Sequence, residues 1–272
     1  MEYTIRPISN FSLGLADIWA YRELFYYFVW RDVKVRYKQT IFGVLWAILQ
    51  PFMMMLTFTL VRRGLNIPSG DLPYPIFAYS GLMFWNIFSS GLTNAANSLI
   101  TNSRIVKKIY FPRLIIPTSS VLVAVFDFFM AFIVFFLLLL YYQPYINPFR
   151  VIFLYPLALL ITIVSTSGMG YFLASWNVKY RDFKYAVPFL VQMLLFVSPI
   201  IYSSSVFKGE LAQYAFAVNP VAGAVNLARA CFSDAPIEWH LIGVSIISTI
   251  IVFVVGVYIK RKNESNFADI VE

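Results

Sequence analysis

The chain has 272 residues, sixty per cent hydrophobic and twelve per cent charged, with a net charge of +8, one cysteine and one histidine. Soluble domains carry charge on about a quarter of their residues, so this composition excludes an ordinary soluble enzyme and leaves no room for a separate soluble domain of roughly 100 residues. Cys231 alone excludes an intrachain disulfide and a multi-cysteine metal site, and His240, at the start of the last apolar run, reads as an interfacial polar residue.

The first ten residues are polar and the next thirty aromatic and charged, so no cleavable leader is expected and the first span itself would direct insertion. Over residues 17–38, Trp19, Tyr26, Trp30, Val33 and Tyr37 recur at three- to four-residue spacing. Arg31, Lys34 and Lys38 fall on another face, and Asp32 and Arg36 are spaced for an i,i+4 pair. This predicts an amphipathic helix in the cytoplasmic interface, aromatics towards lipid and cations towards headgroups or a partner.

Residues 41–61 follow without a single charge, about 30 Å of helix and enough to cross a hydrocarbon core. Further spans are predicted at about 75–98, 114–141, 151–176, 186–203 and 241–259, giving an all-α membrane protein of six transmembrane helices in a single domain. Pro51, Pro188 and Pro199 would kink their spans, and Thr166, Gly170 and Ala174 repeat every four positions as a close-packing surface. Asp127 is the only acid near mid-bilayer; it should face the bundle interior, most simply in a hydrogen bond to a neighbouring helix. The outer segment 204–240 contains an apolar stretch broken by Asn219, Pro220, Asn226 and Arg229, which reads as a re-entrant element.

Charge placement sets the topology. Six spans put both ends on one side, and sixteen of the twenty-one basic residues fall there: Arg6, Arg22, Arg31, Lys34, Arg36, Lys38, Arg104, Lys107, Lys108, Arg113, Lys179, Arg181, Lys184, Lys260, Arg261 and Lys262. Arg62, Arg63, Arg150, Lys208 and Arg229 are left opposite, so both termini are predicted cytoplasmic. Basic residues that flank spans write topology, and no nucleic-acid partner is expected. The spans also lack the relay of acids or histidines that proton-coupled carriers use, so energy must come from elsewhere.

Three blocks taken in order, WRDVKVRYKQTIFGVLWAILQPFMMMLTFTLV (30–61), NSRIVKKIYFPRLIIPTSSVLVAVFDF (102–128) and NVKYRDFKYAVPFLVQMLLFVSPIIY (177–202) followed by Asn219-Pro220, resemble the permease subunit of type-2 ABC transporters. The likeness is to the branch that exports polysaccharides such as O-antigen, capsule and teichoic acid, and it runs to the terminal FADIVE. It implies a homodimer that docks two copies of an ABC ATPase and moves a polysaccharide or lipid-linked glycan, with membrane lipid around it. It also implies a plasma-membrane location, the inner membrane in a Gram-negative host. ATP and Mg would sit on the ATPase, with no cofactor, metal or catalytic residue on this chain; no Gly-Lys dipeptide of a Walker A loop occurs in it.

The same resemblance makes 102–113 the coupling loop, with Arg104, Lys107, Lys108 and Arg113 as its charges and Ile109, Tyr110 and Phe111 as apolar anchors. The interface helix, with Trp30, Arg31, Lys34, Arg36 and Lys38, would contact the ATPase, and 204–240 would form an outer gate. Sugars need stacking faces together with hydrogen-bonding groups, since each unsatisfied hydroxyl costs about 1–3 kcal/mol. Phe42, Trp46 and Gln50 share one face of the first span, and Phe189, Gln192 and Phe196 one face of the fifth, followed by Tyr202. These are the expected conduit walls, with core or lipid packing of the rings as the competing reading. Three alternatives remain at this stage, one of them a passive channel, which ATP dependence in vesicles would separate from an exporter. A type-2 exporter of a lipid, drug or other small molecule often carries a long external domain after the first span, where only about thirteen residues lie here. A membrane-embedded transferase would need clustered acids or histidines at one face.

Overall fold

The computed structural model describes residues 19–38, 40, 42–65, 70–180, 182–203 and 209–263, with Arg63 and Leu65 as backbone only. The expectations attached to residues 17–18, 41, 204–208 and 267–272, and to Arg6, Arg181 and Lys208, lie outside the described residues. The described residues form helices and turns, without a strand: α1 (Arg22–Lys38), α2 (Leu45–Leu65), α3 (Tyr74–Thr101), α4 (Ser103–Lys108), α5 (Ile115–Tyr142), α6 (Pro148–Lys179), α7 (Phe183–Val197), α8 (Glu210–Ala217), α9 (Pro220–Arg229) and α10 (Trp239–Lys262).

Four helices among the described residues are long and apolar enough to cross a bilayer: α2 over Leu45–Arg62, α5, α6 and α10. The fifteen-residue α7 is apolar but shorter. The twenty-eight-residue α3 has the length and is not among them. Asn86, Ser89, Ser90, Thr93, Asn94 and Asn97 dilute its apolar character.

Helix starts follow local chemistry. Proline fixes φ in the first turn of α3, α6 and α9. Asn147 and Asn219 cap α6 and α9, their side-chain oxygens accepting from the backbone N–H of Arg150 at 3.2 Å and of Val221 at 3.1 Å. α5 stops at Gln143, whose N–H makes the last helical bond to the Leu139 carbonyl before its left-handed backbone (φ 45°) turns the chain away.

The axis of the bundle is α3, with nineteen of its 28 residues buried, between α5 on one side and α6 on the other. The Thr166–Gly170–Ala174 stripe makes that approach possible. A Cβ at Gly170 would lie 2.8 Å from the Ala95 methyl, and one at Gly91 would lie 3.1 Å from the Thr166 methyl. On the outer flank of α6 lies α10, and α9 wedges between α3, α6 and α10. Rings fill the space between α3, α5 and α6. Tyr155 has Phe84, Phe132 and Phe232 within 5.8 Å of its ring centroid, so part of the aromatic surplus is core. α1 lies against α5, where Phe28 packs with Phe111, Ile115, Ile116, Leu99 and Ala174.

Candidate functional site

The end of α1, α2, α3, α5 and α7 converge on a cleft of about 540 Å³. α2 contributes Trp46 and Gln50, α7 contributes Gln192, and α3 contributes Trp85 with its polar stripe. Positions 86, 89–90 and 93–94 recur at three to four residues and so share one helix face, and Asn86, Ser90 and Thr93 all line the cleft. The Ser90 hydroxyl donates to the Asn86 carbonyl at 2.7 Å, which commits its hydrogen and leaves its oxygen as an acceptor. The cleft thus joins indole rings to amides and hydroxyls, a lining suited to a hydroxylated ligand with apolar C–H faces. The stripe on α3 was not foreseen as a wall; its three-to-four spacing inside an apolar run is the signal that marks it.

Asp127 of α5 borders this cleft. Arg36 Nη1 reaches its Oδ2 at 2.6 Å, and the Tyr37 hydroxyl donates to its other oxygen. Asp127 therefore faces inward and bonds a neighbouring helix, but as an ion pair. The expected Asp32–Arg36 pair does not form. Asp32 takes Arg31 instead, Nε at 2.9 Å and Nη2 at 2.7 Å, and Arg36 is drawn to the more buried carboxylate. Burial first, and then the bond to Asp127, hold the Tyr37 phenol well above its usual range.

The interface-helix residues consequently divide. Arg31 and Arg36 turn into the bundle, Arg31 Nη2 also donating to Asn102 Oδ1 at 2.7 Å with its guanidinium over the Phe28 ring. Trp30, Lys34 and Lys38 stay exposed, with the Lys34 ammonium 5.1 Å from the Trp30 ring centroid. The expected segregation of cations on an outward face is corrected to that extent.

The proposed conduit residues are only partly brought together. Trp46, Gln50 and Gln192 line the cleft, and Phe42 packs edge-on to Trp46 at 5.6 Å. Phe189 and Phe196 are exposed on α7 away from that wall. Tyr202 folds back on α7, its hydroxyl donating to the carbonyls of Phe196 at 3.1 Å and Val197 at 2.8 Å. Helix α7 ends at Val197, not 203, because Ser198–Pro199–Ile200 break from it and Asn219 Nδ2 donates to Ser198 Oγ at 2.6 Å.

In the 102–113 loop, Arg104, Lys107, Lys108, Ile109 and Tyr110 are exposed, Tyr110 at 72%. Phe111 is 4% exposed and packs against Phe28 in a tilted ring pair at 5.6 Å, which removes it from the outward anchors and makes it the internal seat of α1. Arg113 is half-buried.

At the far end of the bundle, two arginines are held by backbone carbonyls. Arg229 is buried and donates to the carbonyls of Phe77, Pro199 and Ile200, with its guanidinium 3.5 Å from the Phe77 ring centroid. Arg150 Nη1 donates to the carbonyls of Ala230, Ser233 and Ala235 at 3.0–3.1 Å. These two exceptions to the charge bias tie α9 and the following turn to α3, α6 and the broken end of α7. Sequence spacing gave no sign of them.

Together these features define a multi-pass helical membrane protein with a polar cleft set among its helices. The family model for ABC-2 type transporters matches residues 23–233, and the chain belongs to that membrane family. Two O-antigen export system permease proteins RfbA of Klebsiella pneumoniae are each 30% identical over 246 residues, covering 88% of this chain and 92% of the relative. The protein of the same name from Myxococcus xanthus is 28% identical over 255 residues, 91% of this chain and 95% of its own.

Proposed function

We propose that the chain is the permease subunit of an ATP-driven polysaccharide exporter, two copies of which form the path for a lipid-linked glycan such as O-antigen. The observation that carries this reading is the cleft, lined by the indoles of Trp46 and Trp85 and by the polar groups of Gln50, Gln192 and the α3 stripe. The relatives' names support the cargo. A neutral sugar leaving water loses about 1–3 kcal/mol per hydroxyl left unpaired, and such a lining repays that loss without gripping one sugar.

In this reading α3 and α7 supply the two further crossings, for six in all, with both termini cytoplasmic in the plasma or inner membrane. α1 lies in the cytoplasmic interface, and α8 and α9 form the re-entrant outer gate. A second copy covers the exposed faces of α2 and α7, which carry Met53, Phe189 and Phe196, together with Phe42 just ahead of α2. Two separate ATPase subunits bind ATP and Mg, and Ile109, Tyr110 and the lysines of α4 seat in them. ATP-driven closure pulls on α4 and α1, the two permeases part along their seam, and the polymer advances.

The test is a deletion strain that makes the polymer. Polymer should accumulate inside, and surface polymer should return only when this chain and its ATPase are supplied together. Restoration by the chain alone, or by a Trp46→Ala/Gln192→Ala double variant at wild-type rate and amount, would overturn the reading.

A further inference from the structure

We propose that a second polar chamber, beneath α1, is a subsite for neutral sugar residues; the proposal rests on the glycan-exporter reading. The chamber, about 430 Å³, lies between α1, the last turns of α3 and the start of α5. It meets the cleft at Arg36 and Asn94, the two residues that line both spaces. From Asn86 in the cleft to Asn102 in the chamber, α3 presents polar side chains over roughly 24 Å, the rise of sixteen helical residues. The Arg36–Asp127 pair stands where the two spaces join.

The wall is locked in place. Asn102 donates to the Ser98 carbonyl at 2.9 Å while accepting from Arg31, and Asn97 donates to the Thr93 carbonyl at 2.9 Å while accepting from Asn177 at 3.0 Å. The hydroxyls of Ser98, Thr101 and Ser120 give their hydrogens to carbonyls of their own helices, so their oxygens are left as acceptors. Each guanidinium has five N–H donors, and the bonds to Asp32, Asn102 and Asp127 leave several over. Donors and acceptors are therefore both left over on held side chains, which suits hydroxyls that give and take hydrogen bonds.

The charge balance separates a sugar from a phosphate. Arg31 is paired with Asp32 at 2.7 Å and Arg36 with Asp127 at 2.6 Å, so each cation at the chamber already has its own carboxylate. An anionic headgroup would meet cations already neutralised, beside two carboxylates that repel it, whereas a neutral polyol can take the spare N–H donors without that repulsion.

The native thiol leaves the chain suited to a labelling test, because Cys231 is buried and its burial pushes the thiol up to about 12. Thr101→Cys and Ser120→Cys place thiols in the chamber, and Gln50→Cys places one in the cleft. Modification by a small neutral maleimide is timed on the assembled transporter, in vesicles from cells that do or do not make the polymer. The chamber thiols should react about tenfold more slowly when polymer is present, as for a site filled at about ten times its dissociation constant, and inorganic phosphate should not protect them. Protection at Gln50→Cys with none at Thr101→Cys or Ser120→Cys would overturn the chamber and leave the exporter reading standing. Protection at none of the three would count against the exporter reading itself. Protection by inorganic phosphate would make the chamber a headgroup site and overturn the proposal.

Discussion

Gly256 of α10 rests on Gly168 of α6 so closely that a Cβ at 256 would fall 2.0 Å from the carbonyl oxygen of 168, and a Cβ at 168 would fall 2.6 Å from the Phe253 Cα. Both obstacles are backbone, so no rotamer change relieves them. Gly256→Ala should therefore cost at least the 1–3 kcal/mol, roughly, of an overpacked core. Thermal unfolding of the purified protein should show a lowered Tm for Gly256→Ala and for Gly168→Ala. Gly243→Ala, which meets nothing within 4 Å, is the matched control. Equal Tm values for all three would place α6 and α10 further apart than described.

The Arg36–Asp127 pair joins two helices ninety-one residues apart. Arg36→Ala leaves a carboxylate whose side chain is only 5% exposed without its cation. Breaking a buried pair costs about 3–5 kcal/mol; the low end applies here, because Arg36 is one-third exposed and Tyr37 still donates. Limited proteolysis of α1 should accelerate in Arg36→Ala. The double variant Arg36→Met/Asp127→Leu, which removes both charges, should recover most of the lost resistance. A double variant as fragile as the single one would mean that the pair is not the source of the attachment.

Neighbouring residues of the loop after α4 should behave oppositely. Phe111→Ala removes a ring packed on Phe28 and should destabilise the protein by about 3–5 kcal/mol, seen as a lower Tm. Tyr110→Ala removes an exposed ring and should leave Tm within error while lowering co-purification of the ATPase. Matching losses of Tm in the two variants would contradict the different burial of the two rings.

Gly81 and Arg229 should share a phenotype. A Cβ at Gly81 would sit 2.5 Å from Arg229 Nη2 and 2.8 Å from the Ile200 carbonyl oxygen, inside the contact that holds α9. Gly81→Ala and Arg229→Lys should both reduce the folded amount in membranes, because lysine cannot fork to the Phe77, Pro199 and Ile200 carbonyls together and each orphaned group costs about 1–3 kcal/mol. The combined variant should be little worse than either alone, which a double-mutant cycle on Tm would measure.

The apolar runs were readable because length and the absence of charge are local properties: α2, α5, α6 and α10 lie on the stretches expected for them within a few residues. The end of α7 was not, because Pro199 and the Asn219–Ser198 contact stop it and one partner lies twenty-one residues away. Spacing also mispaired Arg36. A helical wheel sees Asp32 as the near acid and cannot see that folding brings Asp127 closer. Phe111 was misjudged for the same reason, since an aromatic beside charges reads as an exposed anchor until Phe28 covers it.

Among the described residues the hydrogen bonds of Arg150 Nη1 and of Arg229 end on carbonyl oxygens, so dipoles rather than a paired carboxylate hold these two charges. Dissolved salt weakens attraction between separated surface charges and has little to act on inside such a cage. The hairpin around α9 should consequently stay seated in molar sodium chloride, where a clasp made of surface ion pairs would slacken.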